Sequence, residues 1–274
     1  MALTWSAIQP ARGRILLLHG AMSTAGTWHR IGGELARHGW DCRAVDLPGH
    51  GGSPPVQGPL DLDALVAGVV GQLTEPVEIV VGHSLGAVVA LALVRRMHEL
   101  ASRMHEITRA LVLEDPPGSR GVDMPALAAQ IASDAAVARD DVAALRRRER
   151  AANPHWDDAD VEQSIAGVLA AQAPAIVEAL GGPLHWDLPA LVAATPLPTL
   201  VLAGREGSGR FPCADGGSAL NGRDRAEVQR AVGAGRLVVI DGGGHCLHRD
   251  APDRWLAAVL GFIGPAMQAR GADR

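Results

Sequence analysis

Short, largely apolar runs alternate along this chain with longer segments whose apolar residues recur at helical spacing. The runs Arg14–His19, Cys42–Leu47, Val77–Val81, Ala110–Leu113, Thr199–Ala203 and Leu237–Ile240 each span a few residues and are bounded by Gly, Pro or Asp. Runs this short and predominantly apolar predict strands buried on both faces. Helices are predicted around Ile31–His38, Leu62–Leu73, Leu85–Leu100 and Asp253–Ile263. Two-face burial combined with intervening helices predicts an α/β architecture, a mostly parallel sheet covered by helices on both sides. From about Pro116 to Thr195 the alternation stops. Ala-rich helical stretches, Pro125–Ala152 and Asp158–Leu180, fill that interval, interrupted by Asn153-Pro154 and Gly181-Gly182-Pro183. The expected organisation is a core made of residues 1–116 and 196–274, with a helical cap inserted at 117–195.

Composition narrows the function classes. The chain has 274 residues, 47% hydrophobic and 20% charged, with a net charge of −5, which excludes a disordered chain and a general nucleic-acid binder. Six Trp, two Phe and no Tyr leave the core to aliphatic residues and make any Trp near a cavity informative. Cys42, Cys213 and Cys246 have neither disulfide nor zinc spacing, so a reducing, cytoplasmic setting is expected. No segment reads as a signal peptide or a membrane span. The run Arg146–Arg150 reads as a solvated helix face, with an anion-binding patch as the alternative. Residues after Gly264 are expected to fray.

The chemistry centres on Gly82-His83-Ser84-Leu85-Gly86. This G-x-S-x-G string follows a predicted strand and opens a predicted helix, the strand–turn–helix setting of a nucleophile elbow. The turn is so sharp that its flanking positions require glycine, and it presents Ser84 at a helix N-terminus. A serine hydroxyl needs a base. His245 lies on the Gly-rich loop after the last strand, where its ring can reach Ser84. His248, three residues on, falls in the next helix and suits a supporting or surface role. A metal shared by His245 and His248 lacks a third ligand in the sequence. His19-Gly20-Ala21-Met22 follows the first buried strand and can aim the Ala21 N–H at the site. With the N–H of Leu85 it would form a two-donor oxyanion hole, His19 fastening the loop. Asp46–Ser53 reads as a structural turn.

The chain resembles the α/β-hydrolases: HGAMSTAGTW, DLPGHGGS, GHSLG and GGGHCLHRDAPDRW occur in family order between residues 19 and 255. The resemblance places the inserted helices where the family carries its lid. It also implies a triad acid, often in a G-x-x-D setting after the lid. Here that segment is Gly204-Arg205-Glu206-Gly207-Ser208, with glycine at the acid position. Asp115, at the exit of the strand after the elbow helix, is assigned as the acid. Glu114 and Glu206 are the alternatives, and Asp215 lies further into the loop.

The expected activity is a serine hydrolase cleaving a carboxylic ester or lactone of a small hydrophobic substrate, with no cofactor and no metal. Trp156, Trp186 and Met22 are assigned to an apolar substrate pocket. A C–C bond hydrolase of ring-cleavage diketones and a hydrolase-like small-molecule binding protein are the alternative functions. An Asp in place of Ser84 would be needed for dehalogenase or epoxide-hydrolase chemistry. The expected partner is the small-molecule substrate, with no nucleic acid and no membrane, and the sequence sets no oligomeric state.

Overall fold

The computed structural model describes residues 2–99, 108–212, 215–233 and 236–268. Leu100, Cys213 and the tail from residue 269 lie outside the described residues. Seven strands are β1 (Ala2–Trp5), β2 (Gly13–Leu18), β3 (Trp40–Val45), β4 (Ile79–His83), β5 (Ala110–Glu114), β6 (Thr199–Ala203) and β7 (Leu237–Val239). They form one sheet in the order β1-β3-β2-β4-β5-β6-β7. All neighbours are parallel except β1, which runs antiparallel to β3 at the edge. The sequence pattern misses β1, because a four-residue edge strand that is only half-buried has no apolar run.

Alternate residues of the central strands feed two separate cores. Leu16, Leu18, Val80, Leu111, Leu113 and Val201 face one side, and Ile15, Leu17, Ile79, Val81, Val112 and Leu202 face the other. This is the two-face burial that the uninterrupted apolar runs require. The first core packs on α2 (Leu62–Val70) and α3 (Leu85–Glu99). The second packs on α1 (His29–Arg37) and, after the helices of the insertion, on the C-terminal helix, with Trp28 and Trp255 wholly buried between them.

Between β5 and β6 lie α4 (Met124–Asp140), α5 (Val142–Ala152), α6 (Asp158–Ala170), α7 (Ala173–Leu180) and α8 (Leu188–Ala193). The two long Ala-rich stretches each break into two helices. Asp141 ends α4 in an extended conformation and caps α5, its carboxylate accepting from Ala144 N. Ala171 and Gln172 leave the helical region before Pro174 starts α7. Ala138, Leu145, Trp156, Val161, Ile165 and Val168 make a small core for this layer, while Ile176, Leu180, Leu184 and Leu188 join the core of the sheet. The chain closes through α9 (Gly222–Val232), α10 (Leu247–Asp250) and α11 (Pro252–Gln268). The last of these stays helical to Gln268, beyond the fraying expected after Gly264. No single helix among the described residues is long and apolar enough to cross a membrane.

Parallel pairing gathers the functional loops at one edge. His83 pairs with Glu114, so the next residues, Ser84 and Asp115, leave adjacent strands side by side. The loop after β7 returns over the same edge.

Candidate active site

Ser84 sits on a backbone strained into the left-handed region, φ 51°, and the turn is closed by the Ser84 N–H donating to the Glu114 carbonyl at 2.8 Å. A Cβ at Gly82 would collide with the Gly86 carbonyl, and one at Gly86 with the Leu18 carbonyl. In both cases the atoms met belong to the backbone and cannot yield, so the glycines are sterically required.

His245 Nε2 lies 3.0 Å from Ser84 Oγ, and His245 Nδ1 lies 2.6 Å from Asp115 Oδ2. A carboxylate accepts, so Nδ1 carries the proton and Nε2 offers its lone pair to the serine hydroxyl. Asp115 is fully buried with φ 42°. Its carboxylate also accepts from Gly204 N at 3.1 Å, from Ala219 N at 2.8 Å and from the Ser218 hydroxyl. The structure thus brings together Ser84, His245 and Asp115.

The other candidate acids lie elsewhere. Glu206 is half-exposed on the loop after β6, accepting from Gly222 N. Asp215 pairs with Arg205 on the same loop. Glu114 is buried on the far side of Asp115. Its Oε1 accepts from His248 Nδ1 at 2.7 Å and from His248 N at 3.0 Å, and its Oε2 accepts from Trp255 Nε1 at 2.8 Å. Burial pushes the Glu114 carboxyl up to about 7. His83 completes this layer: its Nε2 donates to the His245 carbonyl at 3.0 Å, and its ring lies between those of His245 and His248. Ring atoms of His83 and His248 and a Glu114 oxygen come close enough to hold a metal. Both Glu114 oxygens, His248 Nδ1 and His83 Nε2 are engaged in the hydrogen bonds just described.

The oxyanion candidates also meet at this edge. Ala21 lines the cavity above Ser84, and Leu85 is the first residue of α3. Among the described residues no protein acceptor faces the N–H of either. A Cβ at Gly20 would lie 2.8 Å from His83 Nδ1, so only glycine lets this loop approach the elbow. His19 holds the loop, Nδ1 donating to Gly20 O at 2.7 Å and Nε2 accepting from Leu47 N at 3.0 Å. Asp46 braces the following turn through Ala25 N and Gly52 N, each at 2.8 Å.

A cavity of about 410 Å³ opens over Ser84 and His245. Of the residues expected at the substrate pocket, Met22 and Trp156 line this cavity. Trp186 does not: its indole N–H donates to the Pro117 carbonyl at 2.8 Å and its ring packs on the core of the sheet, so it anchors the insertion. The wall is also more polar than an apolar pocket requires, with Thr27, Glu149, Asn153, Arg249 and Asp250 on it. Phe211, one of two Phe in the chain, stacks 4.5 Å from the His245 ring and went unassigned, because its loop carries no motif. The basic run is spent on neighbours: Arg146 pairs with Glu162, Arg147 with Asp141, Arg148 with Asp134 and Arg150 with Asp158. These pairs make it a solvated, self-compensated surface.

Comparison with known proteins decides the family. The family model described as "Alpha/beta hydrolase family" matches residues 15–259. The chain belongs to the alpha/beta hydrolase family. It is a hydrolase, similar over part of its length to pimeloyl-[acyl-carrier protein] methyl ester esterases of Neisseria meningitidis. The serogroup C protein is 38% identical over 91 residues, 32% of this chain and 34% of that relative. A serogroup B protein is 47% identical over 57 residues, 21% of each chain. The match therefore spans about a third or less of the length of these relatives.

Solved structures share the fold over nearly the whole hydrolase. MenH from S. aureus has a TM-score of 0.69 at 17% identity, covering 97% of this chain and 98% of its own. The N-formylmaleamic acid deformylase from Pseudomonas putida S16 has a TM-score of 0.72 at 23% identity, covering 94% of each chain. The enol-lactonase from Burkholderia xenovorans LB400 has 0.67 at 19%, covering 96% of each.

Buried histidines make the stability of this hydrolase pH-dependent. Burial lowers His19 to about 3 and His50 to about 4, and holds His83 and His248 well below the ordinary value of 6.5. A group whose folded value is depressed binds its proton more readily unfolded, so its stabilisation is lost as pH falls from 6.5 towards those values. Glu114, raised by burial, acts in the opposite sense: its contribution is present below 4.5 and lost as pH rises through about 7. Four imidazoles outweigh one carboxyl. Thermal melting at pH 5 is expected about 5 °C or more below that at pH 7.5; an unchanged or higher midpoint at pH 5 contradicts this balance.

Proposed function

We propose that this hydrolase cleaves carboxylic esters or lactones through an acyl-enzyme on Ser84. The observation that carries the reading is the continuous chain Asp115–His245–Ser84 at the strand edge, opening into a cavity. The serine hydroxyl attacks the carbonyl carbon while His245 Nε2 takes its proton. Negative charge develops on the carbonyl oxygen at the N-terminus of α3, where the Ala21 and Leu85 amides can receive it. One such donor is worth roughly 10²–10³ in rate. The imidazolium then protonates the departing alkoxide. Next, the neutral ring deprotonates a water that releases the acid, and Asp115 stabilises the charged ring throughout without taking a proton. The curated relatives are named as methyl ester esterases and one structural neighbour as an enol-lactonase, which favours this bond class.

An activated short-chain 4-nitrophenyl ester should show a burst of nitrophenolate equal to the enzyme present, followed by slower turnover. A fluorophosphonate should abolish both and label Ser84. Turnover that persists after stoichiometric labelling, or a label on another residue, would count against the proposal. Binding without any turnover would point instead to a receptor.

A further inference from the structure

Beside the Asp115–His245–Ser84 chain runs a second one of the same construction. Glu114 Oε1 accepts from His248 Nδ1 at 2.7 Å, and His248 Nε2 lies 2.7 Å from Thr27 Oγ1. With the Nδ1 proton given to Glu114, Nε2 accepts the Thr27 hydroxyl proton, which turns the threonine lone pairs away from the ring. They receive Arg249 Nη2 at 2.8 Å. The guanidinium also lies over the Trp156 ring at 4.8 Å, and Trp156 is itself held by its indole N–H on Asp250 Oδ1 at 2.7 Å. Arg249 is thus held by two groups, Thr27 and Trp156, that are themselves fixed.

The charge so fixed is felt by the buried Asp160 but has no direct ion pair among the described residues. Arg249 is only 5% exposed, yet among the described residues no carboxylate lies within ion-pair distance of it, and its Nε has no acceptor. Buried guanidinium groups are ordinarily paired, because desolvating an uncompensated charge is costly. Nearby acids are already taken. Asp250 accepts from Trp156, His155 and Gly244 N, Asp134 pairs with Arg148, Asp160 lies 3.2 Å from Arg30, and Glu149 accepts the Ser164 hydroxyl. Arg249 and Thr27 both line the cavity that holds Ser84 and His245.

Resting on the serine-hydrolase reading, we infer that Arg249 binds a carboxylate on the substrate, so that the preferred substrate is an ester or lactone carrying a second, ionised carboxyl group. A planar guanidinium matches a carboxylate. The Asp134, Glu149 and Asp250 carboxylates on the same cavity make a doubly charged phosphate the poorer fit. The Glu114–His248–Thr27 relay acts through Arg249 as a positioning device.

The test compares mono-4-nitrophenyl glutarate with 4-nitrophenyl valerate, which differ in a terminal carboxylate against a methyl group. The native enzyme should favour the charged ester at least about tenfold in kcat/KM. Arg249→Met should bring that ratio close to one, and Thr27→Val should lower it mainly through KM for the charged ester. Thermal melting of both variants verifies folding. A parallel titration of Ser84→Ala protein with monomethyl glutarate and methyl valerate, read by tryptophan fluorescence, isolates binding from chemistry. Arg249-dependent preference for the acid there supports the site even if neither ester is hydrolysed. Equal treatment of charged and neutral compounds in native enzyme, or a ratio that Arg249→Met leaves unchanged, overturns the inference while leaving the hydrolase reading intact.

Discussion

Ser84→Ala is expected to lower the rate of ester hydrolysis by about 10⁶ while leaving the melting temperature within a few degrees of the native protein. The large factor follows from the way the three side chains act as one unit: without Oγ there is no atom for His245 to activate and no acyl-enzyme to form. A residual rate of roughly 10³ over water should remain, from the amides of Ala21 and Leu85 and from substrate positioning. Stability should hardly change, because the turn is fixed by backbone contacts at Gly82 and Gly86 and by the Ser84 N–H, none of which the substitution removes. Retention of even one per cent of the native rate, by protein free of native enzyme, would remove Ser84 from the mechanism.

Asp115→Asn should cost about 10⁴. The reason lies in the donors around the carboxylate. Gly204 N, Ala219 N and the Ser218 hydroxyl all point hydrogens at its oxygens, as does His245 Nδ1. An amide has only one acceptor oxygen, so its NH₂ must face some of these donors. Turned towards His245, it forces Nδ1 to accept and moves the ring proton to Nε2, where it blocks transfer from Ser84. Glu206→Gln, on the exposed loop, should leave kcat/KM within about twofold. The pair of variants, measured on the same ester, separates the two positions; a large loss at Glu206 with none at Asp115 would reverse the assignment.

The sheet was legible because the central strands are short, predominantly apolar runs with consecutive buried residues on both faces, a pattern that a strand buried on both faces produces. The elbow was legible for a related reason: Gly82 and Gly86 are dictated by backbone contact, so the motif is a steric requirement written in the chain. Asp115 could be singled out by its place at a strand exit. Gly217 can carry no side chain, because a Cβ there would meet the Gly207 backbone, and the loop places Ser218 and Ala219 on Asp115. Partners that meet only through tertiary folding and carry no motif of their own were not legible. Nothing adjacent in sequence joins Glu114 to His248 and Trp255, or Thr27 to Arg249. Trp186 and Trp156 share a preceding histidine and an Ala-rich setting, yet one anchors the insertion and the other walls the cavity. Which face of the insertion meets the sheet is decided by packing that no short window contains. The four-residue β1 and the polar α9 carry too little apolar signal to stand out.

The most direct measurement is the mass of the protein acid-quenched during steady turnover of a slowly deacylated ester, followed by peptide mapping. The account predicts a mass increase equal to the acyl group, confined to the peptide containing Ser84 and absent from Ser84→Ala protein. Turnover with no covalent adduct at any quench time, or an adduct carried by a different residue, would contradict it.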